Sequence, residues 1–217
     1  MRNIAIIGLS SFGFYLCKFL SESGVQVMAI DNSEDKIDRI KSFVKKAIVA
    51  DANDKETLKN LSINEFDAVV ISVGEKIDAS VLMTLYLREL GVKEIIAKAT
   101  TNDHAKVLHI VGATNIIFPE RDMAKRVAHT MRSDNLLDYV SLGGDHSVIE
   151  IAPPQPWIGK TLAELDIRRE YNVQIIMIKE IVPENTIMIP SGEHIIKDSD
   201  ALIIIGKNKN LERIDKL

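Results

Sequence analysis

The stretch Asn3-Ile4-Ala5-Ile6-Ile7-Gly8-Leu9-Ser10-Ser11-Phe12-Gly13 decides the fold. Asn3–Ile7 is an apolar run of strand length. Phe12–Ser23 carries Phe12, Leu16, Phe19 and Leu20 at helical spacing, and Gly24 stops it. Gly8 and Gly13 bracket the turn between them. A strand, a glycine turn and a helix in this order form the context in which a dinucleotide pyrophosphate is held at a helix N-terminus. Gly8 permits the tight turn and Gly13 permits close packing of helix on strand. The middle glycine of that fingerprint is Ser10 here, a small residue whose hydroxyl can donate to a phosphate.

The same alternation continues outward. Val25–Ile30, Lys46–Ala50, Ala68–Ser72, Glu94–Lys98 and Asn115–Phe118 read as strands, separated by helices Asp35–Phe43, Asp54–Leu61, Ile77–Leu90 and Asp103–Val111. Every connection is long enough to cross over. This predicts an α/β fold, a doubly wound parallel six-stranded sheet covered on both faces. The rhythm changes near residue 120. Glu120–Ser133 reads as one helix with Met123, Val127 and Met131 on a stripe. That stripe follows a completed sheet, so a second copy of the chain is its expected cover. Strands Ser147–Ile151, Val173–Lys179, Ile187–Ile189 and Ala201–Ile205 and a closing helix Asn208–Lys216 make a smaller α+β domain. Val173–Ile178 alternates poorly and is expected to be covered on both faces. The boundary is placed between Ser133 and Gly143, giving domains 1–140 and 141–217.

Asp31 ends the second strand, 23 residues after Gly8. An acid there hydrogen-bonds ribose hydroxyls and repels a 2′-phosphate. Asn32 and Ser33 follow with no arginine, so NADP is disfavoured. Other candidates sit at strand carboxyl ends, where open α/β sheets bind ligands: Asp51, Ala52 and Asn53 for an adenine edge, Val73 and Gly74 for backbone approach, Lys98 for a phosphate. Glu120 could hold a divalent cation beside phosphates. With Gly8, Ser10, Ser11, Phe12, Gly13, Asp31 and Asn32, these form the candidate nucleotide site.

Composition removes other classes. With 27 basic and 31 acidic residues the net charge is −4, divided −1 and −3 between the two domains, so no basic nucleic-acid footprint is present. No apolar run approaches the roughly 18–20 residues of a membrane span. The N-terminus reaches Gly8 too early for a secretory signal, and Cys17 is a lone cysteine, so a cytosolic protein is expected. His104 and His109 would point about 140° apart on a helix, a poor metal pair or dyad. No Ser-His-Asp or Cys-His arrangement is readable. A small NAD-dependent oxidoreductase remains the alternative, but the C-terminal segment supplies no acid–base cluster for it. A nucleotide-sensing transcription regulator is disfavoured by the charge.

The ordered set Gly8–Gly13, Ala29-Ile30-Asp31, Ala50-Asp51-Ala52 and Phe118-Pro119-Glu120-Arg121-Asp122-Met123-Ala124 resembles the RCK (TrkA/KtrA-type) regulatory proteins of potassium channels and transporters. Ile158–Arg168, Pro190 and Asp198–Gly206 are similar to the opening and ending of their C-terminal domain. The resemblance implies a non-enzymatic sensor whose N-terminal Rossmann domain binds ATP, ADP or NAD(H). It implies homodimers joined through the helix after strand six. These assemble into an octameric ring on the cytoplasmic side of an integral-membrane potassium channel or transporter. In some members a cation sits at the acid matching Glu120, and in some the C-terminal domain binds cyclic di-AMP, for which Arg168 is the candidate here. The family often has Gly-x-Gly-Arg-x-Gly. In this sequence the second glycine is Ser10 and the arginine is Ser11, so ADP, AMP or NAD(H) gains ground on ATP. Lys98 or Arg121 is the expected substitute for the missing charge.

Overall fold

The structure, a computed structural model, describes residues 2–74, 76–133, 135–214 and 217. The first unit, Met1–Pro119, alternates strands and helices without interruption. β1 (Asn3–Ile7), α1 (Ser11–Glu22), β2 (Gln26–Asp31), α2 (Glu34–Ile40), β3 (Lys46–Val49) and α3 (Lys55–Asn60) are followed by β4 (Ala68–Ile71), α4 (Ile77–Glu89), β5 (Ile95–Lys98), α5 (Asn102–Val111) and β6 (Asn115–Ile117). The six strands pair in the order β3-β2-β1-β4-β5-β6, every pair parallel. This is the Rossmann-like sheet that the glycine turn predicts.

The uninterrupted apolar strands follow from cover on both faces. Successive side chains point to opposite sides. Ala5, Ile7, Met28 and Ile30 therefore pack with Leu58, Met83 and Leu87 from α3 and α4. Ile4, Ile6, Val27 and Ala29 pack with Cys17, Ile37 and Ile40 from α1 and α2. Each fully buried isoleucine contributes about 1.5–3 kcal/mol.

The second unit is Glu120–Leu217. α6 (Pro119–Thr130), β7 (Leu136–Gly143) and β8 (His146–Ile151) lead into the short helices α7 (Leu162–Leu165) and α8 (Ile167–Tyr171). β9 (Val173–Glu180), β10 (Asn185–Met188), β11 (Asp200–Lys207) and α9 (Asn208–Ile214) complete it. The strands form one sheet in the order β10-β9-β11-β8-β7, all antiparallel. Its core is Ile149, Ile151, Trp157, Ile175, Ile178, Leu202, Ile204 and Leu211. Asp215 and Lys216, the end of the expected closing helix, lie outside the described residues.

Three expectations change. The compact units divide at Pro119/Glu120, not near residue 140. α6 groups with the second unit, where His129 stacks on Tyr139 with ring centroids 4.1 Å apart. Arg126 Nε donates to Asp138 Oδ1 at 2.8 Å, and its Nη2 bonds Asp138 Oδ2. The segment in which the boundary was placed contains β7, joined to β8 by the Gly144-Asp145 turn. Finally, the poor alternation of Val173–Ile178 comes from a β-bulge: Ile203 pairs with Met177 and Ile204 with Ile175, so Ile176 is skipped. Within one chain the bulge accounts for two apolar residues in succession.

Candidate functional site

The strand order reverses between β1 and β4, and the crevice at their carboxyl ends is where such sheets bind ligands. A cleft of about 600 Å3, counting its open mouth, lies there. Each of β1 to β4 delivers residues to it in the few positions past its last paired residue.

From β1 comes the glycine turn. Gly8 has φ +91°, and a Cβ there would meet the Ser72 carbonyl oxygen at 2.5 Å, so the position takes glycine alone. A Cβ on Gly13 would meet the Gly8 carbonyl oxygen at 2.2 Å, so α1 runs close against the turn only because Gly13 has none. Ser10 is the N-cap of α1. Its Oγ accepts from Gly13 N–H at 3.4 Å and lies 2.6 Å from Ser72 Oγ. α1 thereby presents its N-terminus, with about half a positive charge, beside the cleft.

From β2 comes Asp31, nearly buried at 7% exposure. Its Oδ2 accepts from Leu9 N–H at 2.6 Å, and its Oδ1 accepts from Ser33 N–H at 2.9 Å. Lys36 Nζ donates to Oδ2 at 3.2 Å. The acid that the sequence assigns to a ribose thus also pins the glycine turn. Beyond β3, Asp51 Oδ1 accepts from Asn53 N–H and Nδ2 at 3.0 and 2.9 Å. Beyond β4, Gly74 at φ +70° has open space where a Cβ would stand.

Of the sequence candidates, Gly8, Ser10, Asp31, Asn32, Asp51, Ala52, Val73 and Gly74 line this one cleft, with Asn53. Ser11, Phe12 and Gly13 lie in the first turn of α1, behind the lining. Lys98 ends β5, two strands from β1 and so about 10 Å away by strand spacing. It is buried there and lies outside the lining. Glu120 and Arg121 begin α6 in the second unit. Three polar lining residues escaped the sequence reading, Ser72, Lys36 and Lys76, along with the apolar Ile7, Ile30, Ala50, Ala79 and Met83. Lys36 and Lys76 bring positive charge to a cleft that lacks the usual arginine. Lys36 carried no motif signal, because it reaches back to Asp31 from a turn of helix later.

The second unit has its own cleft between α7–α8 and β9, lined by Asp166, Arg168, Gln174, Ile175, Pro190 and Gly192 among others. A capping box fixes α7: Thr161 Oγ1 accepts from Glu164 N–H at 3.2 Å, and Glu164 Oε2 accepts from Thr161 N–H at 2.8 Å.

Two side chains with acid–base or nucleophilic chemistry, Cys17 and His104, are buried in the first unit. Burial pushes the Cys17 thiol up to about 12, so its thiolate is inaccessible at neutral pH. His104 is buried with Nε2 2.7 Å from Ser80 Oγ and Nδ1 3.3 Å from Thr100 N. Ser80 Oγ already donates to the Ile77 carbonyl, so it accepts from Nε2–H, and Nδ1 accepts from the Thr100 amide. Burial holds this imidazole below its usual pKa. Among the described residues no three His, Cys, Asp or Glu side chains come together as a metal-holding group. No helix among them is long and apolar enough to cross a membrane.

Known proteins share this architecture. Residues 4–119 match the TrkA-N domain family and residues 147–217 the TrkA-C domain family. Ktr system potassium uptake protein C of Bacillus subtilis is 44% identical over 215 residues, covering 99% of this chain and 96% of that protein. Ktr system potassium uptake protein A of the same organism is 34% identical over 214 residues, covering 99% and 96%. Among solved structures, the GsuK RCK domain superposes with a TM-score of 0.68 at 19% identity. It covers all of this chain, which spans about half (47%) of that one. Two domain matches in sequence order, with similarity to Ktr proteins along nearly the whole length, place this chain in the TrkA-N/TrkA-C family of potassium uptake proteins.

Proposed function

We propose that the chain is the cytoplasmic regulatory subunit of a potassium uptake system, a sensor without catalysis of its own. An adenine nucleotide in the β1–β4 cleft sets the state of the assembly, and the assembly gates an integral-membrane channel or transporter. The observation that carries this is the Asp31 carboxylate fixed to the glycine turn in a cleft that also contains Asp51, Gly74 and two lysines. Asp31 would take a ribose hydroxyl, Asn53 or Asp51 an adenine edge, and the α1 N-terminus with Lys76 the phosphates. Without an arginine at position 11, ADP, AMP and NAD(H) fit this set at least as well as ATP.

Assembly follows from α6. Met123, Val127 and Met131 are 55%, 45% and 82% exposed. A stripe that its own unit leaves uncovered suits a homodimer, and dimers repeat into the octameric ring of the family. A divalent cation at Glu120 would need further oxygen ligands, which nucleotide phosphates supply. For the second unit, Arg168 in the α8–β9 cleft supports a cyclic di-AMP reading, with the arginine pairing a phosphate at a two-fold axis.

Calorimetry of the full chain with ADP, ATP, AMP, NAD and NADH tests the central reading, with gating measured by potassium uptake in vesicles holding the membrane subunit. Nucleotide-dependent binding and flux support it. A chain that binds none of them at millimolar concentration sinks it.

A further inference from the structure

We propose that Lys36 is a specificity-determining residue at the ribose end of the cleft, and that it lets the site accept an adenine dinucleotide carrying a 2′-phosphate. This rests on the nucleotide reading above and goes against the sequence expectation that NADP is disfavoured.

That expectation holds for an acid standing alone at the end of β2, which repels a 2′-phosphate. Asp31 does not stand alone. Lys36 Nζ is 3.2 Å from its Oδ2, and both side chains line the cleft. The two differ in depth: the Asp31 side chain is 5% exposed and that of Lys36 45%. The anion is at the floor and the cation is toward the mouth, where a group added to the ribose would arrive.

The hydrogen-bond inventory points the same way. A carboxylate offers about four acceptor sites. Leu9 N–H, Ser33 N–H and Lys36 already fill three on Asp31. Room remains for about one ribose hydroxyl, not for both hydroxyls of the diol. Lys36 has three donors and spends one on Asp31. The two left can serve a ribose oxygen or a phosphate. Among the described residues Asp51 is the other carboxylate of the lining, and its Oδ1 is engaged by Asn53. Glu34 and Asp35, in the first turn of α2, do not line the cleft. Lys36 therefore stands as the cation nearest the ribose acid, set to offset its repulsion of a 2′-phosphate.

Calorimetry on the full chain with ADP, NAD and NADP, for the native protein and for Lys36→Gln and Lys36→Arg, tests this. Lys36 is half exposed, so neither substitution disturbs the core. NADP should bind the native chain within about tenfold of NAD. Lys36→Gln should weaken NADP by roughly ten- to hundredfold, the scale of one charge-assisted phosphate contact, while changing NAD and ADP far less. Lys36→Arg should retain NADP. Binding of NAD and ADP with no heat from NADP overturns the role of Lys36 and leaves the nucleotide reading intact. Equal weakening of NAD and NADP by Lys36→Gln does the same. No heat from any of the three ligands overturns both.

Discussion

The hydroxyls of Ser10 and Ser72 lie 2.6 Å apart and join the N-cap of α1 to the residue that follows β4. The bond spans the point where strand order reverses. It occupies the place where a glycine would leave bare backbone for a pyrophosphate.

Ser10→Gly should therefore trade stability for affinity. It removes one partly buried hydrogen bond and a side-chain cap, together about 1–2 kcal/mol, and leaves the fully buried Ser72 hydroxyl with one partner fewer. Differential scanning calorimetry should show a lower Tm for the ligand-free chain. Titration with ADP or NAD should show tighter binding than in the native protein. Unchanged affinity would mean that the pyrophosphate does not approach the turn.

Asp31→Ala should fail in two ways at once. The Leu9 amide loses its acceptor in a buried turn, which costs about 1–3 kcal/mol, and the ribose loses its partner. A ligand that binds only the folded state raises Tm. The native protein should show that rise with ADP or NAD and the variant should show almost none. A full rise in the variant would remove Asp31 from the site.

Stability should fall as the solution is acidified below neutrality. His104 is buried neutral, with Nδ1 accepting from the Thr100 amide, and its folded-state pKa is depressed by burial. His129 is also depressed, by burial first and then by Arg132 and Lys125. For such groups the unfolded chain binds the proton more readily. Their contribution is complete above about pH 6.5, the unfolded value, and is lost as pH falls from there toward the folded value. Denaturant midpoints between pH 7.5 and 5 should slope downward, and His104→Gln should flatten that slope. An equal slope in the variant would assign the effect elsewhere.

Charge placed on the α6 stripe should break the assembly without unfolding the chain. Val127→Glu puts a carboxylate on a half-exposed position with little intramolecular contact to lose, so its own destabilisation should stay within about 0.5 kcal/mol. Light scattering should show a smaller particle with a far-UV spectrum like that of the native protein. A native particle size would move the interface off α6.

Arg168→Ala should abolish whatever binding of cyclic di-AMP the full chain shows, while leaving ADP binding in the first unit unchanged. Heat that survives the substitution would dissociate the arginine from that ligand.

The first sheet was readable because its signals are local. Gly8 and Gly13 mark one turn, and each strand is an unbroken apolar run. Eight of the proposed cleft residues fall within a few positions of a strand end, which is where topology gathers them. What escaped depends on contacts distant in sequence or on irregular pairing. β7 mixes Asp138 and Ser141 with Leu137, Val140 and Leu142, so its strand pattern is broken and only its pairing with β8 shows it. Asp138 itself is satisfied by Arg126, 12 residues earlier. The bulge at Ile176 disguised an ordinary half-buried strand. Lys98 ends β5, two strands from the glycine turn, and only strand order shows that it lies outside the cleft lining.

The paired contacts between α6 and β7 give the second unit a lever. Arg126 grips Asp138 with two nitrogens and holds that carboxyl below the usual range, and His129 lies flat on Tyr139 one turn further on. A planar ion pair resists twisting and a ring stack resists tilting, so together they remove the freedom that a single contact would leave. A torque applied to α6 would then be handed to the edge strand β7 instead of being lost in the loop between them. Cutting either contact should let α6 shift against β7 without unfolding either element.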